Sequence, residues 1–231
     1  FCAVNSGNPG GSVDVSEPRK VAEAVDATGL DYVVLTMVNR DDLEDEGAQH
    51  VAACIGAIKR RTPAVLVEAL IGDFSGRDRL VDVVCDAAPD VLAHNIETVE
   101  RLQTAVRDRR SGFKRSLGVL SRAKAHHLQP RTKSSIMLGL GERDDEIIAA
   151  MKALRQRGVD FLTLGQYLQP TPEHLPVQKY VHPTTFDAHR EKGEALGFHY
   201  VASGPLVRSS YRAGEHFIRA SIESRGTDAN E

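Results

Sequence analysis

Asn95 and Glu97 flank Ile96 just after an apolar run, and the pair suits the two hydroxyls of a ribose, because an amide donates and accepts while a carboxylate accepts twice. The same spacing suits a helix start, with Asn95 as cap and Glu97 in a first turn that favours negative charge. Gly139, Gly141 and Glu142 follow another apolar run and precede a segment of helical period. Backbone there can approach a ligand with no side chain in the way, or simply turn from strand to helix. Arg40, Asp41 and Asp42 place one cation and two carboxylates on one loop, an arrangement for an amino-acid zwitterion or for a solvated loop with internal ion pairs.

Other candidates carry less. Cys2 by itself is an ordinary thiol or a cluster ligand. Cys54 and Cys85 fall among Val and Ala on predicted helices, where free cysteine behaves as a small hydrophobe. His126-His127 lies on a predicted helix without a matched carboxylate or cysteine at metal-ligand spacing, which reads as surface or boundary histidine. Arg208-Ser209-Ser210-Tyr211 follows a short apolar segment, Phe198–Ala202, and Gly204-Pro205; hydroxyls beside an arginine cap a backbone or bind an anion.

These residues need a scaffold. Runs rich in Val, Ile and Leu alternate with longer segments of helical period, the pattern of β-α units around a parallel sheet. Five strands are predicted, at Asp31–Met37, Ala64–Leu70, Asp90–His94, Thr132–Leu138 and Asp160–Gly165, each nearly continuously apolar as a doubly covered strand should be. Helices are predicted at Glu17–Thr28, Gly47–Arg61, Arg77–Ala87, Thr98–Val106, Ser116–His127 and Asp144–Arg157. Ser16 offers a capping hydroxyl, Pro18 sits in a first turn, and Gly29 and Gly158 act as stops. Because the chain opens on a loop and a helix, a further strand is expected ahead of Phe1. With it the fold is α/β, a partial parallel (β/α)6 TIM-like barrel over residues 1–203, followed by a C-terminal segment over 204–231 that turns polar from Gly214. Barrels of this kind carry their chemistry at the carboxyl ends of strands. The polar clusters fall there: Thr36 to Asp42, Glu68 and Asp73, His94 to Thr98, Gly139 to Glu142, and Gln166 to Pro170.

Composition bounds the rest. A chain of 231 residues, 41% hydrophobic, supports one domain plus a tail. The net charge of −3, with both signs mixed, argues against nucleic acid and anionic membranes as partners. No apolar stretch approaches the roughly 20 residues that cross a bilayer, and the first residues lack a signal-peptide pattern. The 3 cysteines are widely spaced and odd in number, so no disulfide framework is expected and a reducing cytoplasm fits.

In order along the chain stand Phe1-Cys2, Asn39-Arg40-Asp41-Asp42-Leu43, Glu68 to Phe74, Leu92 to Thr98, Thr132-Lys133-Ser134, Leu138 to Glu142, Gly165 to Thr171 and Val207 to Ala213. Together they resemble the lipoyl synthase family of radical S-adenosylmethionine (SAM) enzymes over almost the whole chain. The glycine-glutamate turn and the ribose pair occur broadly among radical SAM enzymes; the QYLQP segment and the RSSY tail point to this one family. The resemblance implies that Cys2 is the third cysteine of a CxxxCxxC motif, holding a [4Fe–4S] cluster whose fourth iron takes SAM. On that basis the chain begins inside the cluster loop, without two of those cysteines, three auxiliary ones and the first strand, and is expected to be inactive alone.

The resemblance further implies a 5′-deoxyadenosyl radical that abstracts hydrogen from an octanoyl chain on a lysine of a carrier domain. It implies a second, auxiliary [4Fe–4S] cluster as sulfur donor, held in part by a serine, Ser210 in preference to Ser209. The SAM and substrate contacts it implies are Thr36, Arg40, Asp41, Glu68, Asn95, Glu97, Lys133, Gly139, Glu142 and Gln166. Expected partners are lipoyl-carrier domains of 2-oxoacid dehydrogenase E2 subunits or the glycine-cleavage H protein, and a reductant such as ferredoxin or flavodoxin. The alternatives are a biotin synthase-like sulfur-insertion enzyme, and a degenerate, cluster-free module that binds SAM or the carrier. Three positions depart from the family pattern: Asn39 where it shows Asp, Glu46 where it shows Gly, and Gly72 where it shows Pro.

Overall fold

In a computed structural model, which describes residues 7–208, strands and helices alternate as β1 (Tyr32–Thr36), β2 (Leu66–Leu70), β3 (Val91–Ala93), β4 (Arg131–Leu138), β5 (Phe161–Gln166) and β6 (Tyr200–Gly204), with α1 (Glu17–Thr28), α2 (Ala48–Arg61), α3 (Asp78–Asp86), α4 (Gln103–Val106), α5 (Phe113–Ala125), α6 (Asp144–Gln156) and α7 (Pro183–Ala195) around them. All 6 strands form one sheet in sequential order, every neighbouring pair parallel. Each crossover therefore returns the chain to the same end of the sheet, and all strand carboxyl ends open on one mouth. No pairing joins β6 to β1 among the described residues, so the barrel is partial.

Alternation along the strands separates two environments. Outward residues pack under the helices in two large clusters. One joins Val67, Ala69 and Leu92 to α1, α2 and α3; the other joins Ile136, Leu138, Leu162, Leu164 and Val201 to α5, α6 and α7. Helix α5 contributes to both, Val119 and Ala123 to the first, Leu117 and Leu120 to the second, and so ties the two halves together. Inward residues are fewer. Tyr32, Val91 and Phe161 fill the lower lumen with Val34, Leu66 and Tyr200 beside them, and a buried ionic plug crosses it: Lys133 Nζ donates to both oxygens of Glu68 at 2.9 and 2.8 Å, and Tyr32 Oη donates to Glu68 at 2.5 Å. Glu68 is fully buried and Lys133 nearly so, which is tolerable only because each charge has its partner.

The five predicted strands stand with ends moved by one or two residues, and α1 spans its predicted residues. The described chain carries a sixth strand, β6, overlapping the short apolar segment Phe198–Ala202 that was not predicted as a strand, and α7 before it was not predicted. The predicted helix Thr98–Val106 is broken into a 3-10 turn at Glu100–Leu102 and a single turn at α4. Helix α5 starts earlier than predicted and ends before His126 and His127. Ser16 makes no capping bond; its hydroxyl donates to Asp14 instead, while Gly29 closes α1 in the left-handed conformation at φ 60°. No helix among the described residues is long and apolar enough to cross a membrane.

Candidate active site at the barrel mouth

The segment after β3 runs His94-Asn95-Ile96-Glu97 and is locked in place before it reaches the ligand side. His94 is buried, and its Nδ1–H donates to the Ile71 carbonyl at 2.9 Å. Its Nε2 takes the Ser116 hydroxyl at 2.9 Å, whose oxygen in turn accepts from Arg107 at 2.8 Å. With both ring nitrogens committed and no room for water, burial lowers the His94 pKa to about 4. A histidine depressed in the folded state but ordinary in the unfolded one contributes stability that is whole above about pH 6.5 and lost as pH falls through about 4. Acid unfolding is therefore expected to begin between those values. A His94→Gln variant, followed by thermal melts across that range, should show a flatter dependence; an equal slope would remove His94 as the cause.

Glu97 adopts φ 64°, a left-handed conformation that costs a non-glycine residue about 1 kcal/mol. The sheet holds it there: Glu97 N–H donates to the Ser135 carbonyl at 3.1 Å, and the Glu97 carbonyl accepts from Met137 N–H at 2.8 Å. The helix-start reading is thus excluded, since Glu97 is bridged to β4 and is not in a helical turn. Burial raises the Glu97 carboxyl pKa, opposed by a hydrogen bond from Asn95 and the charge of Arg107. Asn95, Glu97, Ser135, Met137, Gly165, Tyr167, Leu168, Val207 and Arg208 are among the residues that line one cavity of about 270 Å³ at the mouth.

The lining combines the carboxylate-amide pair with apolar surface from Met137 and Leu168, the two kinds of contact that a nucleoside's ribose and base call for. Gly165 leaves the floor bare, and the chain after β6 returns across it: a methyl group on Gly165 would stand 2.2 Å from the Val207 carbonyl oxygen. Arg208 donates back to that carbonyl at 2.7 Å and to Pro205 at 3.3 Å. Cys2, Ser209 and Ser210 lie outside the described residues.

The other expected contacts are distributed. Thr36 ends β1 at the mouth and is exposed. Arg40 is occupied within its own loop, forking onto Asp42 with two bonds of 2.7 Å and reaching Ser12 at 2.7 Å; this pair holds the Asp42 carboxyl well below the usual carboxylate range. Asp41 pairs with Arg110 and lines a second cavity of about 250 Å³ with Asp73, Arg77 and Arg115. Glu68 and Lys133 are spent on each other in the lumen. Glu142 folds back to accept from the Gly139 and Leu140 amides at 2.5 and 2.9 Å. Gln166 holds the chain after Gln178, accepting from Val181 at 2.9 Å and donating to Lys179 at 3.1 Å; Gly139, at φ 103°, has no room for a side chain beside it.

The three departures have structural partners. Asn39 Oδ1 lies 2.7 Å from where a Gly72 side chain would begin, so the two positions are in direct contact. Glu46 sits at φ 49°, where glycine is at ease, and its carboxylate meets Arg77 at 2.6 Å. Glu46→Ala keeps the strain and loses the pair, whereas Glu46→Gly loses the pair and relieves the strain. Denaturant titration should find the glycine variant more stable than the alanine variant by about 1 kcal/mol; equal stabilities would show that the backbone there is not strained.

A parallel open barrel with a ribose-type pair at its mouth defines a class, and the Radical SAM superfamily model matches residues 1–154. Methylornithine synthase superposes with TM-score 0.62 at 13% identity, covering 93% of this chain and 73% of that one, a likeness of fold. The chain is 57% identical over 220 residues to lipoyl synthase of Thermus thermophilus, covering 95% of this chain and 68% of the relative. It is 55% identical to that of Legionella pneumophila, covering 96% and 68%, and 49% identical to the mitochondrial one of Phytophthora infestans, covering 98% and 59%. The chain belongs to the lipoyl synthase family of the radical SAM superfamily.

Proposed function

We propose that this chain is the catalytic barrel of a lipoyl synthase, replacing two hydrogens by sulfur on a protein-bound octanoyl group. The observation that carries the reading is the Glu97 carboxylate, held at a strained backbone position with Asn95 beside it in a nucleoside-sized cavity, in a chain 57% identical to a lipoyl synthase. Asn95 and Glu97 bind the ribose hydroxyls of SAM. Met137 and Leu168 flank the adenosine and keep water from it. Val207 and Arg208 close one side of the cavity, and the chain beyond them carries the serine, Ser210 by preference, that completes the auxiliary cluster site; Cys2 is one ligand of the SAM-binding cluster. Two [4Fe–4S] clusters with SAM supply a hydrogen-abstracting radical and the sulfur when bound. Arg40 and Asp42 stiffen the loop after β1, with Asp41 near the rim where an octanoylated E2 or H-protein carrier domain docks in a cytoplasmic setting.

The test is anaerobic: this chain, joined to the upstream cluster-binding segment of its Thermus thermophilus relative and carrying reconstituted clusters, is incubated with SAM, a low-potential reductant such as flavodoxin, and an octanoylated carrier domain, and the carrier is weighed by mass spectrometry. Replacement of two hydrogens by two sulfurs is the expected result. SAM consumption with no sulfur on the carrier would overturn the substrate assignment.

A further inference from the structure

Asp86 stands 40 residues before the His126-His127 pair in sequence and meets it on the underside of the barrel, where helices lead into strands β3 and β4. Each offers one ligand atom, and these atoms all lie within 4.8 Å of one another. We propose that they bind a divalent transition-metal ion of the Zn²⁺ class.

The donor set is two imidazoles and one carboxylate, which suits borderline ions with nitrogen and oxygen preference rather than Mg²⁺ or Ca²⁺. His126 Nε2 and Asp86 Oδ1 stand 3.1 Å apart, close to the about 3.3 Å that separates two ligands of a tetrahedral zinc ion. The His126 and His127 rings are neighbours, with centroids 4.3 Å apart and planes tilted by 44°, so the second imidazole can turn to the same point. Both Asp86 and His127 are exposed while His126 is buried, which leaves an open approach over a fixed first ligand.

The scaffold is rigid at this point. One helical turn above, Arg122 of α5 forks onto Asp82 of α3 with bonds of 2.7 and 2.6 Å. Asp86 ends α3 one turn after Asp82, and His126 is the residue that caps α5, four after Arg122, so the Arg122–Asp82 clamp lies one turn from the His126–Asp86 contact and holds the two helix ends together. The buried His126 is already held, and the exposed Asp86 and His127 give up side-chain freedom on binding. One interaction opposes it: the Leu128 amide donates to His126 Nδ1 at 3.3 Å, and coordination through Nε2 moves the ring proton to Nδ1 and releases that amide. The bond is long and Leu128 is half exposed, so water replaces it. Three protein ligands leave a fourth position for water, and a bound ion would cross-link α3 to the turn that starts β4.

The experiment is a Zn²⁺ titration against a chromophoric chelator, made on the full chain with Cys2 blocked by alkylation so that its thiol takes no metal. Wild type is compared with Asp86→Asn and His127→Ala, both surface changes, with metal-free melting curves as the check on folding. The expected result is one Zn²⁺ equivalent whose affinity falls by about tenfold or more in either variant, and a rise in the wild-type melting temperature with Zn²⁺ that both variants lack. Unchanged affinity in the variants, or no binding that depends on these residues, overturns the site.

Discussion

Glu97→Gln is expected to weaken SAM binding by roughly ten- to a hundredfold, and to lower turnover at least as much, because a charged acceptor of two hydroxyls becomes a neutral amide that can accept only through one oxygen. The companion change Glu97→Gly separates binding from folding. Glycine removes the carboxylate but takes φ 64° without strain, so it should bind as poorly as glutamine while melting no lower than wild type. Equilibrium dialysis with SAM and a melting curve read the two effects independently. Wild-type affinity in the glutamine variant would remove Glu97 from the cofactor site, and the reading of the cavity with it.

Gly165→Ala is expected to be severely damaging for the addition of one methyl group. Its Cβ would fall 2.2 Å from the Val207 carbonyl oxygen, a backbone atom that can retreat only if the strap after β6 lifts. Overpacking of this kind costs about 1–3 kcal/mol, and the strap is what closes the cavity, so the larger effect is on activity: a loss of about a hundredfold or more if closure is required. Limited proteolysis after Gly204 should accelerate in the variant while the rest of the chain stays protected. A variant cut no faster than wild type, with wild-type turnover, would show that Val207 does not need the bare floor.

The pattern of Val, Ile and Leu runs was enough for five strands, because a strand covered on both faces must be apolar throughout. It was not enough for β6, whose Tyr200, Ser203 and Gly204 dilute the signal, nor for α7, whose buried face amounts to little more than Phe186, His189 and Gly193. Asn95 and Glu97 were visible as a pair of chemical types, yet their alternative as a helix start fell only to a tertiary fact, the bridge from Glu97 to Ile136. Arg107 and Ser116, which fix the strand end through His94, carry no local signature, since each acts across a gap in sequence. Gly165 did leave one: a glycine inside an apolar strand marks a close backbone approach. Arg40, Glu142 and Gln166 were recognisable as polar residues at strand ends, but not as residues already engaged by their own loops.

The ionic plug of Glu68, Lys133 and Tyr32 has a consequence for traffic. With the aromatic layer of Phe161 and Tyr200 it stops the lumen at its lower end among the described residues, so whatever reaches the interior arrives and departs on the side of the mouth. On the proposed reading, two successive hydrogen abstractions need two nucleosides to come and go while the same acyl chain is being worked on. The spent nucleoside and the tethered chain then share the mouth, and the timing of that exchange becomes a property of the mouth rather than of the chemistry.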